Sequence, residues 1–128
     1  MHHFDLRLLY NVISIKTLLA LGAHNIENVQ GNVSLRLTKG NEIFLPLGHT
    51  KEVQIPAGEY AYCDDGNNII CRLEVLQVEP TKITLDTENI FLIIQGNVNT
   101  DNSYIQDATN ELLDLLVKFC GGTYRLLN

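Results

Sequence analysis

Two stretches of helical periodicity bracket a long middle that reads in steps of two, and this order constrains the fold more than any other feature of the sequence. From Phe4 to Leu21 the apolar residues Leu8, Leu9, Val12, Ile13, Ile15, Leu18 and Leu19 recur at three- and four-residue steps, the spacing of one helical face. Gly22 stands where a left-handed residue would close that helix. Near the other end, Ile105, Ala108, Leu112, Leu115, Leu116 and Phe119 form a second stripe. Asp101, Asn102 or Ser103 can cap it, and Gly121-Gly122 stops it.

Between the helices, Val33, Leu35 and Leu37 alternate with Ser34, Arg36 and Thr38, the two-residue period of a half-buried strand. Lys39-Gly40-Asn41 predicts a turn, and Glu42 to Leu47 and Lys51 to Ile55 predict two further short strands. Glu59 to Cys63 and Ile69 to Val78 flank Asp64-Asp65-Gly66-Asn67-Asn68, a hairpin signal. Pro80 breaks the second run, Lys82 to Leu85 predicts a brief strand, and Ile90 to Gln95 is a continuous apolar run expected at the centre of the sheet. The succession implies an α+β fold: a mixed or antiparallel sheet, sandwich-like or barrel-like, packed by an N-terminal helix and a long C-terminal helix. No repeat, low-complexity tract or linker divides residues 1–128, so a single domain is expected.

A chain of 128 residues can bury a core without metal or disulfide staples. Cys63, Cys71 and Cys120 are odd in number and show no C-x-x-C spacing, which reads as three reduced, mostly buried thiols in a reducing, cytoplasmic setting. No apolar run approaches the roughly 20 residues of a membrane helix. The first helical stretch carries His2, His3, Asp5, Arg7 and Lys16 with no small-residue cleavage site after it, so neither a membrane span nor a secretion leader is expected. The formal net charge is −6, and the nine Lys and Arg are scattered. That balance disfavours tight autonomous binding of nucleic acid and leaves room for weak, transient contact.

The familiar catalytic signatures are missing: no phosphate-binding glycine loop, no dinucleotide fingerprint, no H-E-x-x-H and no G-x-S-x-G. His24 and His49 lack ligand spacing and read as surface or loop histidines, so no metal or cofactor is expected. Asp64-Asp65 reads as hairpin chemistry. Arg36 and Arg72 interrupt apolar strand-like runs; each either faces water, which the spacing favours, or enters a pocket where its guanidinium would grip a carboxylate or phosphate. Glu79-Pro80-Thr81-Lys82-Ile83-Thr84 is a dense polar segment beside two strands. It either orients a small ligand or solvates a turn.

An ordered set of residues carries a resemblance over nearly the whole chain. Asn11, Ser14, Thr17 and Leu21-Gly22-Ala23 lead to Asn25-Ile26-Glu27, Val29, Gly31 and Leu35-Arg36-Leu37. Pro56-Ala57-Gly58-Glu59, Asp64 or Asp65 with Gly66, and Ile70-Cys71-Arg72 follow, then Thr81-Lys82-Ile83-Thr84, Thr87, Asn89 and finally Cys120-Gly121-Gly122. This resembles the B3/B4 domain of the phenylalanyl-tRNA synthetase beta chain and its free-standing relatives. The resemblance implies tRNA quality control, in which the ester of a wrongly charged amino acid is hydrolysed, typically tyrosine on the phenylalanine tRNA. It also implies charged tRNA and a small amino-acid-like ligand as partners; a homo-oligomer is expected on separate grounds, because the shortened N-terminal part leaves core surface to cover. On the same footing, Asn11 and Asn25 shape a pocket floor, Arg72 its charged wall, and Glu79 or Thr81 orients amine or water; no catalytic residue is singled out.

Three departures accompany the resemblance. Gly22 stands where the synthetase carries a histidine, and Leu73 to Gln77 is largely apolar where free-standing relatives usually place Trp and Arg. The chain also starts close to Asn11, which reads as an N-terminally shortened member whose uncovered core surface needs an oligomer, a partner chain or a reduced fold. Two readings stand: a deacylase of mischarged aminoacyl-tRNA acting in trans, or a non-catalytic module that binds an amino acid, a metabolite or a protein and works as an oligomer.

Overall fold

The computed structural model describes residues 3–72 and 75–127. The elements run α1 (His3–Thr17), β1 (Ala20–Asn25), a single 3-10 turn (Ile26–Asn28), β2 (Val33–Leu37), β3 (Tyr60–Asp64), β4 (Ile69–Arg72), β5 (Val75–Gln77), β6 (Ile90–Gln95) and α2 (Asn102–Cys120). Strands β2-β3-β4-β5 form one sheet and β1-β6 a separate pair. The fold is therefore mixed α+β with a helix near each end, as the periodicities require. Among the described residues no helix is long and apolar enough to cross a membrane.

The chain divides into two compact units, the first made of residues 1–23, 84–88 and 92–128, the second of 24–83 and 89–91. In the first unit Ile13, Leu19, Ala108 and Leu112 form a buried cluster, with Leu9, Leu21, Leu92, Ile94 and Ile105 packed against it. Both helices thus cover one face of the paired β1 and β6 residues. Tyr104 donates its hydroxyl to the Thr17 carbonyl at 2.8 Å, and Lys16 pairs with Glu111 at 2.6 Å.

Helix α1 ends earlier than Gly22 suggests. Leu18 takes φ 60, its N–H still donates to the Ser14 carbonyl at 2.8 Å, and the Ser14 hydroxyl donates to the Leu19 carbonyl at 2.8 Å. Leu18 therefore occupies the left-handed closing position, where a leucine costs roughly 1–2 kcal/mol, and Gly22 lies inside β1. The apolar face read from the sequence splits accordingly: Leu9, Ile13 and Leu19 join the core, whereas Leu8, Val12, Ile15 and Leu18 are exposed. Helix α2 ends as expected, with Gly121 at φ 73 and its N–H on the Val117 carbonyl.

In the second unit β2 and β3 pair antiparallel from Val33↔Asp64 to Leu37↔Tyr60. Along β3, Ala61 and Cys63 are buried and Tyr60 and Tyr62 are not, the expected two-residue alternation. Phe44, Ile55, Ala61, Cys63, Ile69 and Val78 make the core. Asp64 builds the predicted hairpin turn by accepting from the N–H groups of Gly66 and Asn68, each at 3.0 Å. Gly31 precedes β2 at φ 72, where an added Cβ would meet the Asp65 carboxylate at 2.3 Å; that carboxylate accepts from the Asn32 N–H.

The strands expected at 42–47, 51–55 and 82–85 are irregular chain instead. Residues 42–47 follow the hairpin through isolated bridges at Ile43↔Asn68 and Pro46↔Val78, because Pro46 has no N–H to extend a ladder. The β6 run belongs to a two-stranded pair rather than a sheet centre, and each of its residues is only half-buried. Cys63 is buried, and Cys71 and Cys120 are half-buried; burial pushes the Cys63 and Cys71 thiols up from their ordinary value.

Candidate functional site

The second unit holds a hollow of about 260 Å³, lined by Asn28, Gln30, Asn68, Ile69, Ile70, Val78, Pro80 and Thr81. Its walls come from the 3-10 turn after β1, the β3–β4 hairpin, and the polar segment around Thr81. The turn is held by Asn25, whose side-chain oxygen accepts from the Glu27 N–H at 3.1 Å, and by the Asn28 amide, which donates to the Pro80 carbonyl at 2.8 Å. The Asn68 amide is spent on the Asp64 carboxylate. The lining is therefore four neutral polar side chains beside four aliphatic ones, with no ionisable group among them.

Thr81 is the best anchored of these. It is 1% exposed, its carbonyl accepts from the Asn25 N–H at 2.9 Å, and its hydroxyl lies 3.1 Å from Nδ1 of His24. His24 is itself 1% exposed and stacks on Phe91 with ring centroids 5.2 Å apart. Its other nitrogen, Nε2, is buried without a hydrogen-bond partner among the described residues. Burial drives the His24 pKa down to about 4, so the ring is neutral at physiological pH.

The residues singled out from the sequence separate into three groups. Asn25 and Thr81 are joined by the backbone bond above, and Thr81 lines the hollow. Arg72 and Glu79 lie in the same unit but are engaged elsewhere. Arg72 grips Glu59 with two parallel bonds, Nε at 2.9 Å and Nη2 at 2.7 Å, and its guanidinium lies 5.4 Å from the centre of the Phe44 ring. Glu79 accepts from the Gly48 N–H at 2.9 Å and pairs with Lys82. These two contacts hold its carboxyl below the ordinary range. Asn11 belongs to the first unit, where its side chain is exposed on α1.

Arg36, read as facing water, instead clamps Glu42 at 2.6 Å and donates to Asn67 at 2.9 Å. The Glu42 side chain is fully buried. Burial alone would raise its pKa, but Arg36 and the backbone N–H groups of Lys39, Glu42 and Gly40 together bring it down to about 2. His24 is the principal correction to the sequence reading: it is a buried partner of a site residue and not a surface or loop histidine. Its place between two β1 residues, with Ala23 before it, was the available signal, but the Thr81 partner lies 57 positions away. Among the described residues no three His, Cys, Asp or Glu side chains gather as a metal-ligand set.

Comparison with known proteins places the chain in a family. The phenylalanine–tRNA ligase beta subunit of Caenorhabditis elegans is 28% identical over 91% of this chain, which covers 23% of that protein. The corresponding subunit of Methanococcus vannielii is 25% identical over 83% of the chain and 22% of its own length. The chain thus spans less than a quarter of these curated relatives. The crystal structure of an N-terminal fragment of the phenylalanyl-tRNA synthetase beta subunit from Pyrococcus horikoshii superposes with a TM-score of 0.69 at 16% identity, over 84% of this chain and 38% of that one; this likeness concerns the fold. The profile of the B3/4 domain matches residues 9–121, and the chain belongs to the B3/4 domain family.

Proposed function

We propose that this protein hydrolyses the ester of mischarged aminoacyl-tRNA in trans, holding the amino-acid moiety in the hollow of the second unit. The observation that carries the reading is the joint presence of a B3/4 match over residues 9–121 and a neutral hollow of about 260 Å³ beside Thr81. That volume lies below the roughly 300–1,000 Å³ of sites for drug-sized ligands and suits a single amino acid. In the reaction a water oxygen bonds to the ester carbonyl carbon and the bond from that carbon to the ribose oxygen breaks. The ribose oxygen takes a proton from the water, and free amino acid leaves. With no acid or base in the lining, acceleration rests on positioning and on fixed hydrogen-bond donors. The acidic charge of the chain fits brief contact with tRNA rather than stable binding.

The test is release of free amino acid by the purified chain from a panel of mischarged tRNAs, beginning with phenylalanine tRNA charged with tyrosine. Turnover above the uncatalysed rate supports the proposal, and its absence across the panel refutes it. A second reading, a non-catalytic amino-acid-binding module, is favoured by one observation: Arg72 and Glu79 are already paired with Glu59 and Lys82. A thermal shift with a free amino acid, where a ligand at 100 times its Kd adds about 2.7 kcal/mol of stability, in a chain that shows no turnover on the tRNA panel supports the second reading against the first.

A further inference from the structure

Strand β2 stands at one end of the order β2-β3-β4-β5 and has a strand neighbour on one side only. Hydrogen bonds just beyond each of its ends show which residues turn their main chain toward β3. The Thr38 N–H donates to the Glu59 carbonyl at 2.7 Å, and the Thr38 carbonyl accepts from the Gly58 N–H at 2.9 Å. At the other end the Asn32 N–H donates to the Asp65 carboxylate at 2.8 Å. Successive residues of a strand aim their N–H and C=O groups to opposite sides. Ser34 and Arg36 therefore pair with β3, and Val33, Leu35 and Leu37 present theirs to the open edge. Arg36 Nη1 reaches the Leu37 carbonyl at 3.1 Å, which leaves that oxygen a second lone pair. Among the described residues neither isolated bridge reaches β2.

This edge lacks the guards that usually keep edge strands apart. Strand β2 holds no proline or lysine and pairs with β3 without a register shift. Its one charge, Arg36, is drawn onto the buried Glu42 carboxylate. The opposite edge strand, β5, is only three residues long. Leu35 lies opposite Tyr62 and Leu37 opposite Tyr60, so these four share the sheet face that looks away from the buried Ala61 and Cys63. Leu35 is 48%, Leu37 50% and Tyr60 56% exposed.

We propose that the β2 edge is a docking surface for a second copy of this chain, whose β2 runs antiparallel to it about a two-fold axis at Leu35. The sequence of β2, Val33-Ser34-Leu35-Arg36-Leu37, is self-complementary in that register. Leu35 exchanges N–H and C=O with Leu35 of the second copy, Val33 does so with Leu37, and each pair is apolar against apolar. Arg36 falls opposite Ser34. An axis at Arg36 would instead set two guanidiniums face to face, which opposes pairing, and would leave Val33 beyond the contact. The edge and the face beside it carry no free charge, so an acidic or basic partner finds nothing to complement, whereas an identical apolar strand does. The join continues the four-stranded sheet of each copy into the other and satisfies main-chain groups that otherwise face water. It is independent of the hydrolase reading.

The experiment combines sedimentation equilibrium of the full chain with cysteine cross-linking that reads the register. The wild type should sediment at twice the chain mass of 14.4 kDa. Leu35→Lys sets two ammonium groups against each other at the axis and should return the mass of one chain, with circular dichroism confirming that the sheet persists. Leu35→Cys places two cysteines in a hydrogen-bonded pair with Cα atoms about 5.5 Å apart, within the span of a disulfide, and should cross-link under mild oxidation. Leu37→Cys lies opposite Val33 and about 14 Å from its own counterpart, so it should cross-link no faster than the wild type, whose Cys71 and Cys120 set the background. A wild type with the mass of one chain overturns the proposal and leaves the edge to a different partner. A dimer that Leu35→Lys does not weaken, or one in which Leu35→Cys cross-links no faster than Leu37→Cys, overturns it as well. If Leu35→Lys fails to fold, the cross-linking decides alone.

Discussion

Lowering the pH should unload stability through His24 in a window that no carboxylate dominates. Its folded pKa of about 4 lies below the ordinary 6.5 because burial penalises the charged ring. The unfolded chain therefore binds the proton more readily between these values. The contribution is fully present above the unfolded pKa and is lost as the pH falls toward the folded one. Taking the two pKa values at face value, the loss is about 2 kcal/mol at pH 5 and about 3 kcal/mol at pH 4. The assay is urea denaturation of wild type and His24→Asn at pH 7.5, 6 and 5, read as midpoint and slope. The variant has no ionisable group at this position, so the wild type should lose about 2 kcal/mol more than the variant between pH 7.5 and 5. Equal losses in the two proteins would refute the buried, neutral histidine.

Other contacts give independent expectations. Glu42→Gln should destabilise the fold by about 3 kcal/mol, because it leaves the Arg36 guanidinium beside a buried site without its carboxylate; denaturation at pH 7 measures it. The Arg72 and Glu59 side chains are each about one-third exposed, so a double-mutant cycle to alanine should return a coupling of only about 0.5–1 kcal/mol. Leu18→Gly should leave stability unchanged or raise it by up to about 1 kcal/mol, because Leu18 is 89% exposed at φ 60 and relief of left-handed strain outweighs the glycine's entropy. A drop in melting temperature would contradict that reading of the α1 terminus.

The parts of the fold legible in the sequence are those decided locally. The α2 stripe with its double glycine, the alternation in β2, and the Asp64-to-Asn68 hairpin each carry their signal within a few residues, and each appears where expected. The misreadings arise where tertiary contact overrides local preference. Leu18 closes α1 although Gly22 is the better left-handed residue, because Leu19 and Leu21 are drawn into the helix-covered cluster. Residues 42–47 have strand composition but follow the hairpin only through single bridges. The exposed Leu8, Val12 and Ile15 share the helical spacing of the buried residues, so periodicity alone could not separate two apolar faces of one helix.

The candidate site was legible only in part, for the same reason. Thr81 and Asn25 were drawn out by the family pattern, and they meet through the backbone. Arg72 and Glu79 come from the same family pattern, but partners that spacing does not reveal, Glu59 and Lys82, already engage them. His24 reads from the sequence as a surface or loop histidine, because no ligand spacing surrounds it. Its environment is assembled from Thr81 and Phe91, 57 and 67 positions further along the chain, and only the folded unit brings them together.

The most direct measurement is the rate at which the purified chain frees tyrosine from mischarged phenylalanine tRNA, compared with spontaneous hydrolysis under the same conditions. The account predicts turnover well above the spontaneous rate. A wild-type rate no faster than spontaneous hydrolysis, on this tRNA and on the rest of the panel, would contradict it.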